Sequence, residues 1–163
     1  MCFTGILTMI DRIDRLILGT LAEDARITNK ELARTIGLSQ SACLERVRRL
    51  EERGVLKGAH ASIDAKAFGI GVQAFVSVQL KRHTRAAVAR FERAAIELPQ
   101  VVALYHLTGR TDYMAYAVAQ DMDHLRDFTL DAITSLPDVA RVETSILFGS
   151  TRKPGWPDLA EQQ

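Results

Sequence analysis

The stretch from Thr28 to Lys57 reads TNKELARTIG followed directly by LSQSACLERVRRLEERGVLK, and it decides how the first part of the chain folds. Thr28 and Glu31 have the spacing of a capping box, in which each side chain accepts a hydrogen bond from the backbone amide of the other residue. Gly37 provides the left-handed conformation that ends a short helix, and Ser39 can begin a second helix by capping it. The stretch therefore predicts two helices joined by a tight turn.

The second predicted helix carries two different faces. One buried stripe is predicted by apolar residues at helical spacing, namely Cys43, Leu44, Val47 and Leu50. The rest of the helix has a polar first turn followed by arginines. This arrangement suits the major groove of DNA, where Gln, Ser and Arg side chains reach base edges while other arginines meet phosphates. The predicted DNA-binding residues are Lys30, Ser39, Gln40, Ser41, Glu45, Arg46, Arg48 and Arg49.

A polar, arginine-rich helix face has a simpler explanation, since such a face is often only solvated surface. For an isolated segment we would prefer that explanation. The order of elements favours DNA binding, because a capped helix, a glycine turn, a second capped helix and a wing together are rarer than any one of them. Charge adds little, since 21 Lys and Arg residues against 20 Asp and Glu residues give a formal net charge of +1, so any footprint on nucleic acid has to be local.

The segments on either side of the two helices complete a predicted winged helix-turn-helix domain over residues 9–63. A first helix that closes a three-helix core is predicted by apolar residues at helical spacing, namely Ile13, Leu16, Ile17 and Leu21. After Gly54, short apolar positions and glycines predict a small β-wing. Residues 64–71 are the predicted linker to a second domain.

The second half of the chain changes from helical to alternating spacing. The predicted strands cover residues 72–80, 101–108, 113–119 and 139–148. One helix capped by Thr84 and ended by Pro99, and another that begins at Asp121, separate them. This order, with the matching joints LPQVVAL and LPDVARV, predicts a ferredoxin-like βαββαβ domain over residues 72–150, and residues 151–163 form a tail.

One face of this sheet is predicted to pack against the two helices, which leaves the other face bare. That face would carry Phe75 and Tyr105 into water, so we expect it to meet the same face of a second subunit. Such a homodimer places two DNA-reading helices about one helical turn, ~34 Å, apart. It also raises the number of phosphates that the protein neutralises, on which DNA affinity depends.

Composition and spacing argue against several other classes of protein. No apolar run approaches the ~20 residues that span a bilayer, the start of the chain does not resemble a secretory signal, and Cys2 and Cys43 suit a reduced, cytoplasmic setting. The histidines have neither each other nor cysteine at metal-ligand spacing, so no metal is expected. Because the chain has no phosphate-binding loop, dinucleotide fingerprint or nucleophile elbow, no cofactor and no catalytic residue are assigned.

These residues resemble the Lrp/AsnC family of bacterial and archaeal transcriptional regulators, also called feast/famine proteins. The resemblance runs from Ile10 to about Arg152, and it rests on DRIDRLIL from Asp11, SxxxCLxRVRRLE from Ser39, GVLKG, LPxV, and TGRTDY from Thr108. It implies an N-terminal winged helix-turn-helix domain, a C-terminal ligand-sensing ferredoxin-like domain, and dimers that often assemble into tetramers or octamers.

The resemblance also implies a small effector, usually an amino acid, between dimers and near the G-x-x-D-Y loop. Gly109 lets the backbone approach a ligand closely, loop amides can hold an α-carboxylate, and Asp112 can pair with an α-ammonium. The alternative is an ordinary hairpin loop in which Asp112 caps its own turn, and the chemistry of the residues alone does not decide between the two. The effector-binding residues that the resemblance implies are Thr108, Gly109, Arg110, Asp112, Tyr113, Met122, Thr144 and Ser145.

The chain departs from the family pattern at several positions. Gln40 and Ala42 stand where the family often has prolines, Glu45 stands where a basic residue is common, and Arg110 stands where acidic or small residues are frequent. Glu45 can accept a hydrogen bond from a cytosine amino group or repel phosphate, and Arg110 can anchor an acidic ligand or point to solvent. These positions leave the target sequence and the identity of the effector open.

We therefore expect an α+β, sequence-specific DNA-binding transcriptional regulator that responds to an amino acid or a related metabolite and is not an enzyme. Two alternatives come from other classes. A nucleoid-architectural protein would bind double-stranded DNA with little sequence preference and without an effector. A tetrapyrrole-processing decarboxylase, similar to this family in fold, would need His and Arg in its cleft, and His106 and Arg110 lie close together in the sequence.

Overall fold

Three helices build the N-terminal unit: α1 (Arg12–Glu23), α2 (Asn29–Ile36) and α3 (Gln40–Glu52). The computed structural model describes residues 10–153 and 155–157. Three parts of the sequence predictions lie outside the described residues: Cys2, residue 9 at the start of the predicted DNA-binding domain, and residues 154 and 158–163 of the predicted tail. The chain divides into two compact units: residues up to 61 group with the segment from 151, and residues 62–150 form the other.

Local capping fixes where these helices begin. Asp11 and Asp14 form a capping box at the start of α1, and Thr28 caps α2 through the box that the sequence predicted. Gly37 ends α2 with φ 79° and ψ 32°, a left-handed conformation that glycine adopts without a steric penalty. The chain then turns into α3, whose N-cap is Ser39, so the predicted pair of helices is confirmed.

The core between the three helices is narrower than the sequence predicted. Its buried side chains are Ile17, Leu32, Ala33, Cys43 and Leu50. Leu16 and Leu44 were predicted to lie in the core but are 47% and 58% exposed, because each is one residue, about 100° of helical rotation, away from a buried position. Burial raises the pKa of the Cys43 thiol, so this thiol stays protonated as a small core residue.

The predicted β-wing is not formed by strands. Residues 55–64, all of which are described, contain no strand. Val55 and Leu56 instead donate backbone hydrogen bonds to the Leu50 carbonyl, at 3.0 and 3.1 Å, and pack against the helical core. The chain after Gly54 therefore closes the end of α3.

The C-terminal unit begins with a 3₁₀ turn, Ala65–Phe68, and then follows the predicted order. Its elements are β1 (Val72–Leu80), α4 (Arg85–Ile96), β2 (Val101–His106), β3 (Tyr113–Ala119), α5 (Met122–Asp127) and β4 (Val139–Ile146). The strands form one antiparallel sheet in the order β2-β3-β1-β4, so the predicted α+β, ferredoxin-like fold is confirmed. Among the described helices, none is long and apolar enough to cross a bilayer.

The last helix changes its winding in the middle. α5 continues into a π-helical segment, Phe128–Ile133, and such a segment adds a residue to the helical repeat. Leu125 and Phe128 are buried. In the π-helical segment Ile133 is fully buried, while its neighbour Ala132 is only partly buried.

The two faces of the sheet have different surroundings. Alternate residues of β1, from Ala74 to Leu80, are buried against side chains of α4 and α5. The opposite face carries the rings of Phe75 and Tyr116, whose centroids lie 5.7 Å apart, and Tyr105, which is 47% exposed. This second face, which we call the open face, is therefore partly apolar and accessible to solvent.

Candidate functional site

The first turn of α3 is a fixed and exposed polar surface. Ser39 accepts a hydrogen bond from the Ala42 amide at 3.2 Å, and its hydroxyl lies 3.2 Å from the Ser41 hydroxyl. The backbone carbonyl of Gln40 accepts from Asn29 Nδ2 at 2.9 Å. Because this last bond joins the start of α2 to the start of α3, the backbone of the first turn of α3 has a defined position relative to α2.

A groove of about 550 Å³ runs between α2 and the start of α3. Lys30 and Arg34 line it from α2, and Ser39 and Gln40 line it from α3. Neither cation makes a hydrogen bond or an ion pair within the described residues. Sequence reasoning named Lys30 but missed Arg34, although the i, i+4 spacing of the two residues puts them on one helical face.

Two of the predicted arginines of α3 lie on its exposed side. The Arg48 side chain is 64% exposed and lies 3.2 Å from Glu52 and 3.8 Å from Glu45. Exposed ion pairs of this kind contribute little to stability, so Arg48 can exchange them for a phosphate. Arg49 is exposed and has no ion pair within the part of the chain that the structure describes.

Arg46 points to a different part of the unit. Its Nη1 donates to Asp11 Oδ2 at 2.6 Å and to Asp14 Oδ1 at 2.7 Å, and the Asp14 side chain is only 11% exposed. The hydrogen bond from the Asp14 amide, and to a smaller extent that from the Arg46 guanidinium, holds the pKa of the Asp11 carboxyl below its ordinary value. The two carboxylates in turn raise the pKa of Arg46. Arg46 therefore joins α3 to the capping box of α1, in contrast to its predicted role as a DNA contact.

Leu44 brings an apolar group to the exposed side of α3. It follows the buried Cys43 and is 58% exposed, among the polar side chains of the helix. An apolar side chain on a groove-reading face can contact the methyl group of thymine. The sequence analysis placed Leu44 in the core and so did not consider this role.

The TGRTDY segment joins β2 to β3 as a loop. Its base is held by two backbone bonds, from the Leu107 amide to the Asp112 carbonyl at 2.8 Å and from the Asp112 amide to the Val78 carbonyl at 3.0 Å. Gly109 adopts φ 113°, a backbone conformation that residues other than glycine rarely adopt. Residues 108–110 are exposed between these fixed points.

The Asp112 carboxylate is already occupied within the chain. Its Oδ2 accepts from the Leu80 amide at 2.7 Å, and its Oδ1 lies 2.9 Å from His83 Nε2. The side chain is 16% exposed. This geometry matches the alternative in which Asp112 stabilises the loop, since each oxygen already has a partner within the chain.

Tyr113, another predicted effector residue, belongs to the core of the C-terminal unit. It is 1% exposed, and its ring centroid lies 4.8 Å from that of Phe91 and 4.5 Å from that of His106. Its hydroxyl donates to Glu92 Oε1 at 2.8 Å. Burial, and then Glu92, raises the pKa of the Tyr113 phenol, so this hydroxyl remains a protonated donor.

A cleft of about 200 Å³ lies between the loop and strands β1 and β4; we call it the loop cleft. Among the predicted effector residues it contains only Arg110. Its other polar lining residues are Ser77, Gln79, Thr111, Arg141 and Glu143. Strand alternation put Ser77 and Gln79 on the same face as Phe75, and this was the sequence signal that could have identified them.

Met122 and Thr144 line a second cleft, of about 320 Å³. The apolar residues around them are Leu125, Leu130 and Ile146. Thr144 pairs with Val76 on the helix-covered face, so its neighbour Ser145 lies on the open face. Because Met122 follows the end of β3 and the TGRTDY loop precedes its start, the predicted effector residues do not form a single site within one chain.

Two known families match this sequence. Residues 10–57 match a family described as winged helix-turn-helix DNA-binding. Residues 73–156 match the Lrp/AsnC ligand binding domain. The first match covers the three helices with their exposed polar surface, and the second covers the sheet and both clefts.

Individual proteins show the same similarity along most of the chain. The transcriptional regulator AldR of Mycolicibacterium smegmatis is 40% identical over 143 residues, which cover 88% of this chain and 84% of the relative. A transcriptional regulator of Neisseria meningitidis in complex with L-Met has a TM-score of 0.82 at 31% identity, covering 94% of this chain and 99% of that one. A feast or famine regulatory protein of M. tuberculosis complexed with L-methionine has a TM-score of 0.76 at 35% identity, covering 88% of this chain and 95% of that one.

Proposed function

The chain belongs to the Lrp/AsnC family and is a DNA-binding transcriptional regulator, and we propose that it acts as a dimer or larger homo-oligomer that responds to an amino acid or a related small metabolite. The exposed, doubly anchored first turn of α3 is the observation that carries the DNA-binding part of this proposal. We propose the cytoplasm as its location, because bacterial transcriptional regulators work there.

We propose that α3 enters the major groove with its first turn against the base edges. The residues proposed to contact bases are Ser39, Gln40, Ser41 and Glu45, and those proposed to contact phosphates are Lys30, Arg34, Arg48 and Arg49. Arg46 is left out because Asp11 and Asp14 occupy its guanidinium. Phosphate contacts set the position of the helix, and base contacts select the sequence.

Genome-wide footprinting tests sequence specificity. We expect a few sharp sites that share a pseudo-palindromic sequence, with half-sites about one helical turn apart. Dispersed occupancy without a shared sequence would instead support the nucleoid-architectural alternative.

A second copy of the chain is proposed to cover the open face of the sheet. That face exposes Tyr105 by 47%, together with the paired rings of Phe75 and Tyr116. Pairing the faces removes these groups from water and doubles the number of phosphates that the protein can neutralise. Sedimentation at the concentrations used for DNA binding checks this, and a monomer that binds a half-site alone would contradict it.

The effector is proposed to bind at the exposed TGRTDY loop. Two similar structures contain L-methionine, which supports an amino acid or related metabolite as the ligand class for this chain. Met122 follows the end of β3 that is away from the loop, and it shares a cleft with Thr144 on the helix-covered side of the sheet, so we propose that a neighbouring subunit brings them to the effector. If the ligand binds one assembly of subunits more tightly than another, it shifts the protein toward that assembly, and the affinity for DNA changes with it.

A thermal-shift screen of the full-length protein against the twenty amino acids tests the effector proposal. A ligand that binds only the native protein must raise the melting temperature, and it should also change operator affinity. If no amino acid does either, the effector proposal is wrong while the DNA-binding function stands. The decarboxylase alternative gains no support, because the lining of the loop cleft includes Arg110 but not His106, which stacks on Tyr113.

A further inference from the structure

The loop cleft has an excess of positive charge. Arg141 Nη2 lies 2.7 Å from Glu143 Oε1, so these two lining residues largely neutralise each other. Arg110, on the opposite side of the cleft, makes no hydrogen bond or ion pair within the described residues. Asp112, the nearest carboxylate in the loop, is turned to Leu80 and His83, so it leaves the Arg110 charge uncompensated.

The remaining lining groups can hold an anion rather than an apolar side chain. Ser77, Gln79 and Thr111 contribute hydroxyl and amide groups, which donate hydrogen bonds to carboxylate oxygens. Of the loop residues, Arg110 and Thr111 line the cleft; their amides have no backbone acceptor within the described part of the chain, and they offer a second set of donors. The cleft thus combines two groups of donors with one free guanidinium, a side chain suited to bidentate carboxylate binding.

The β1 and β4 walls of the loop cleft lie on the open face, so in the proposed dimer the second copy would border the cleft. The size of the cleft limits the ligand to a small molecule. Its volume of about 200 Å³ is below the ~300–1,000 Å³ of pockets for drug-sized ligands. The basic surroundings extend beyond the cleft, since Lys81 and Arg82 follow β1 at the same end of the sheet and are exposed. A long-range attraction for small anions follows from this charge distribution.

From this geometry we propose that the effector of this chain is a small dicarboxylate, either an acidic amino acid or the corresponding 2-oxo acid, with one carboxylate bound by Arg110. This inference rests on the proposed effector function and names the ligand class of the same loop. One carboxylate meets the loop amides and the other meets the guanidinium. Glu143 is the one carboxylate among the lining residues, and an α-ammonium group, which only the amino acid carries, would compete with Arg141 for it.

Isothermal titration of the full-length protein separates charge from shape. The ligands are L-glutamate and L-aspartate, their amides L-glutamine and L-asparagine, the 2-oxo acid of glutamate, and L-methionine, all at one ionic strength. We expect the dicarboxylates to bind at least about tenfold more tightly than the amides, since the amides cannot form a charge-assisted hydrogen bond with Arg110. If the 2-oxo acid binds more tightly than L-glutamate, Glu143 has no role in binding the effector. If L-glutamate binds more tightly, Glu143 binds its α-ammonium group.

A variant pair then tests the residue. Arg110→Gln should weaken dicarboxylate binding at least about tenfold and leave operator binding without ligand unchanged. Arg93→Gln, which removes an exposed arginine from the last turn of α4, should change neither. Tighter binding of L-methionine or of the amides, or an unaffected Arg110→Gln variant, would overturn the dicarboxylate proposal while the amino-acid effector proposal stands. Binding of none of these ligands, nor of any other amino acid, would overturn both.

Discussion

The Arg46 guanidinium lies 2.7 Å from the Asp14 carboxylate and joins α3 to the first turn of α1. The same nitrogen lies 2.6 Å from Asp11, which caps that helix. The helix proposed to read DNA is therefore held by an ion pair on the side away from its exposed residues. Arg46 acts as a positioning residue for α3, and its replacement should mainly lower the free energy of unfolding.

Replacing Arg46 should destabilise the N-terminal unit without removing a phosphate contact. Arg46→Ala leaves the mostly buried Asp14 carboxylate without its partner, at a cost of about 1–3 kcal/mol in the free energy of unfolding. Urea denaturation measures this decrease, with Arg48→Ala as the matched control that should stay within about 0.5 kcal/mol. An Arg46→Ala protein of unchanged stability, whose DNA affinity depends less on salt, would instead make Arg46 a phosphate contact.

The Asp11 carboxylate should make stability depend on acidity. Its pKa in the folded protein is held below the ordinary 3.8, so the stabilisation is fully present above about pH 4 and is lost as the pH falls through the folded-state value. Asp11→Asn keeps a capping side chain but removes the charge, so it should be less stable than wild type near neutral pH. Urea unfolding between about pH 6 and pH 2 should show the two proteins converging in acid. A difference that grows on acidification would contradict the assignment.

Arg49 should contribute to DNA binding without regard to sequence. Because Arg49→Ala cannot bind the phosphate, this variant should bind operator and unrelated DNA more weakly to the same extent. The plot of log affinity against log salt should also become less steep by about 0.9 for each bound copy. Filter binding or fluorescence anisotropy over a salt series gives both quantities. Arg93→Ala, in the C-terminal unit, is the control with an unchanged slope. A weakening confined to the operator would point to a base contact.

The helices and their caps could be predicted because the signals are local. Thr28 and Ser39 accept hydrogen bonds from amides three residues further along, Gly37 donates its amide to the Ala33 carbonyl, and each was found in its predicted role. The alternation in β1 likewise predicted which face is buried, since successive residues of a strand face opposite sides. These patterns were sufficient for the α+β fold.

Side-chain partners could not be predicted in the same way, because they come from other parts of the chain. Arg46 meets Asp11 from 35 residues away, and Asp112 meets the Leu80 amide from 32 residues away. Nothing in the spacing around either residue reveals these contacts. The loop cleft also depends on β1 and β4 being neighbours in the sheet, so its Ser77 and Arg141 lay beyond any local pattern.

Asp112 should matter to the fold of the TGRTDY loop. Asp112→Ala leaves the amide of the buried Leu80 without its acceptor, and this should lower the free energy of unfolding by about 1–3 kcal/mol. Asp112→Asn keeps one acceptor oxygen for that amide, so we expect a smaller decrease. Thermal and urea unfolding compare the two variants. Equal stability of Asp112→Ala and wild type would return Asp112 to the role of a direct effector ligand.

Leu44 should contribute to the choice of sequence rather than to stability. Its side chain is 58% exposed, so Leu44→Ala should change stability by less than about 0.5 kcal/mol. If Leu44 packs on a thymine methyl group, the variant should bind the operator about fivefold more weakly, on the order of 1 kcal/mol. Replacing the operator thymines one at a time with deoxyuracil removes only the methyl group. At one position the substitution should weaken operator binding by the wild-type protein. Binding by Leu44→Ala should not change there, because that variant already lacks the leucine side chain. Equal weakening of both proteins at every position would show that Leu44 reads no methyl group.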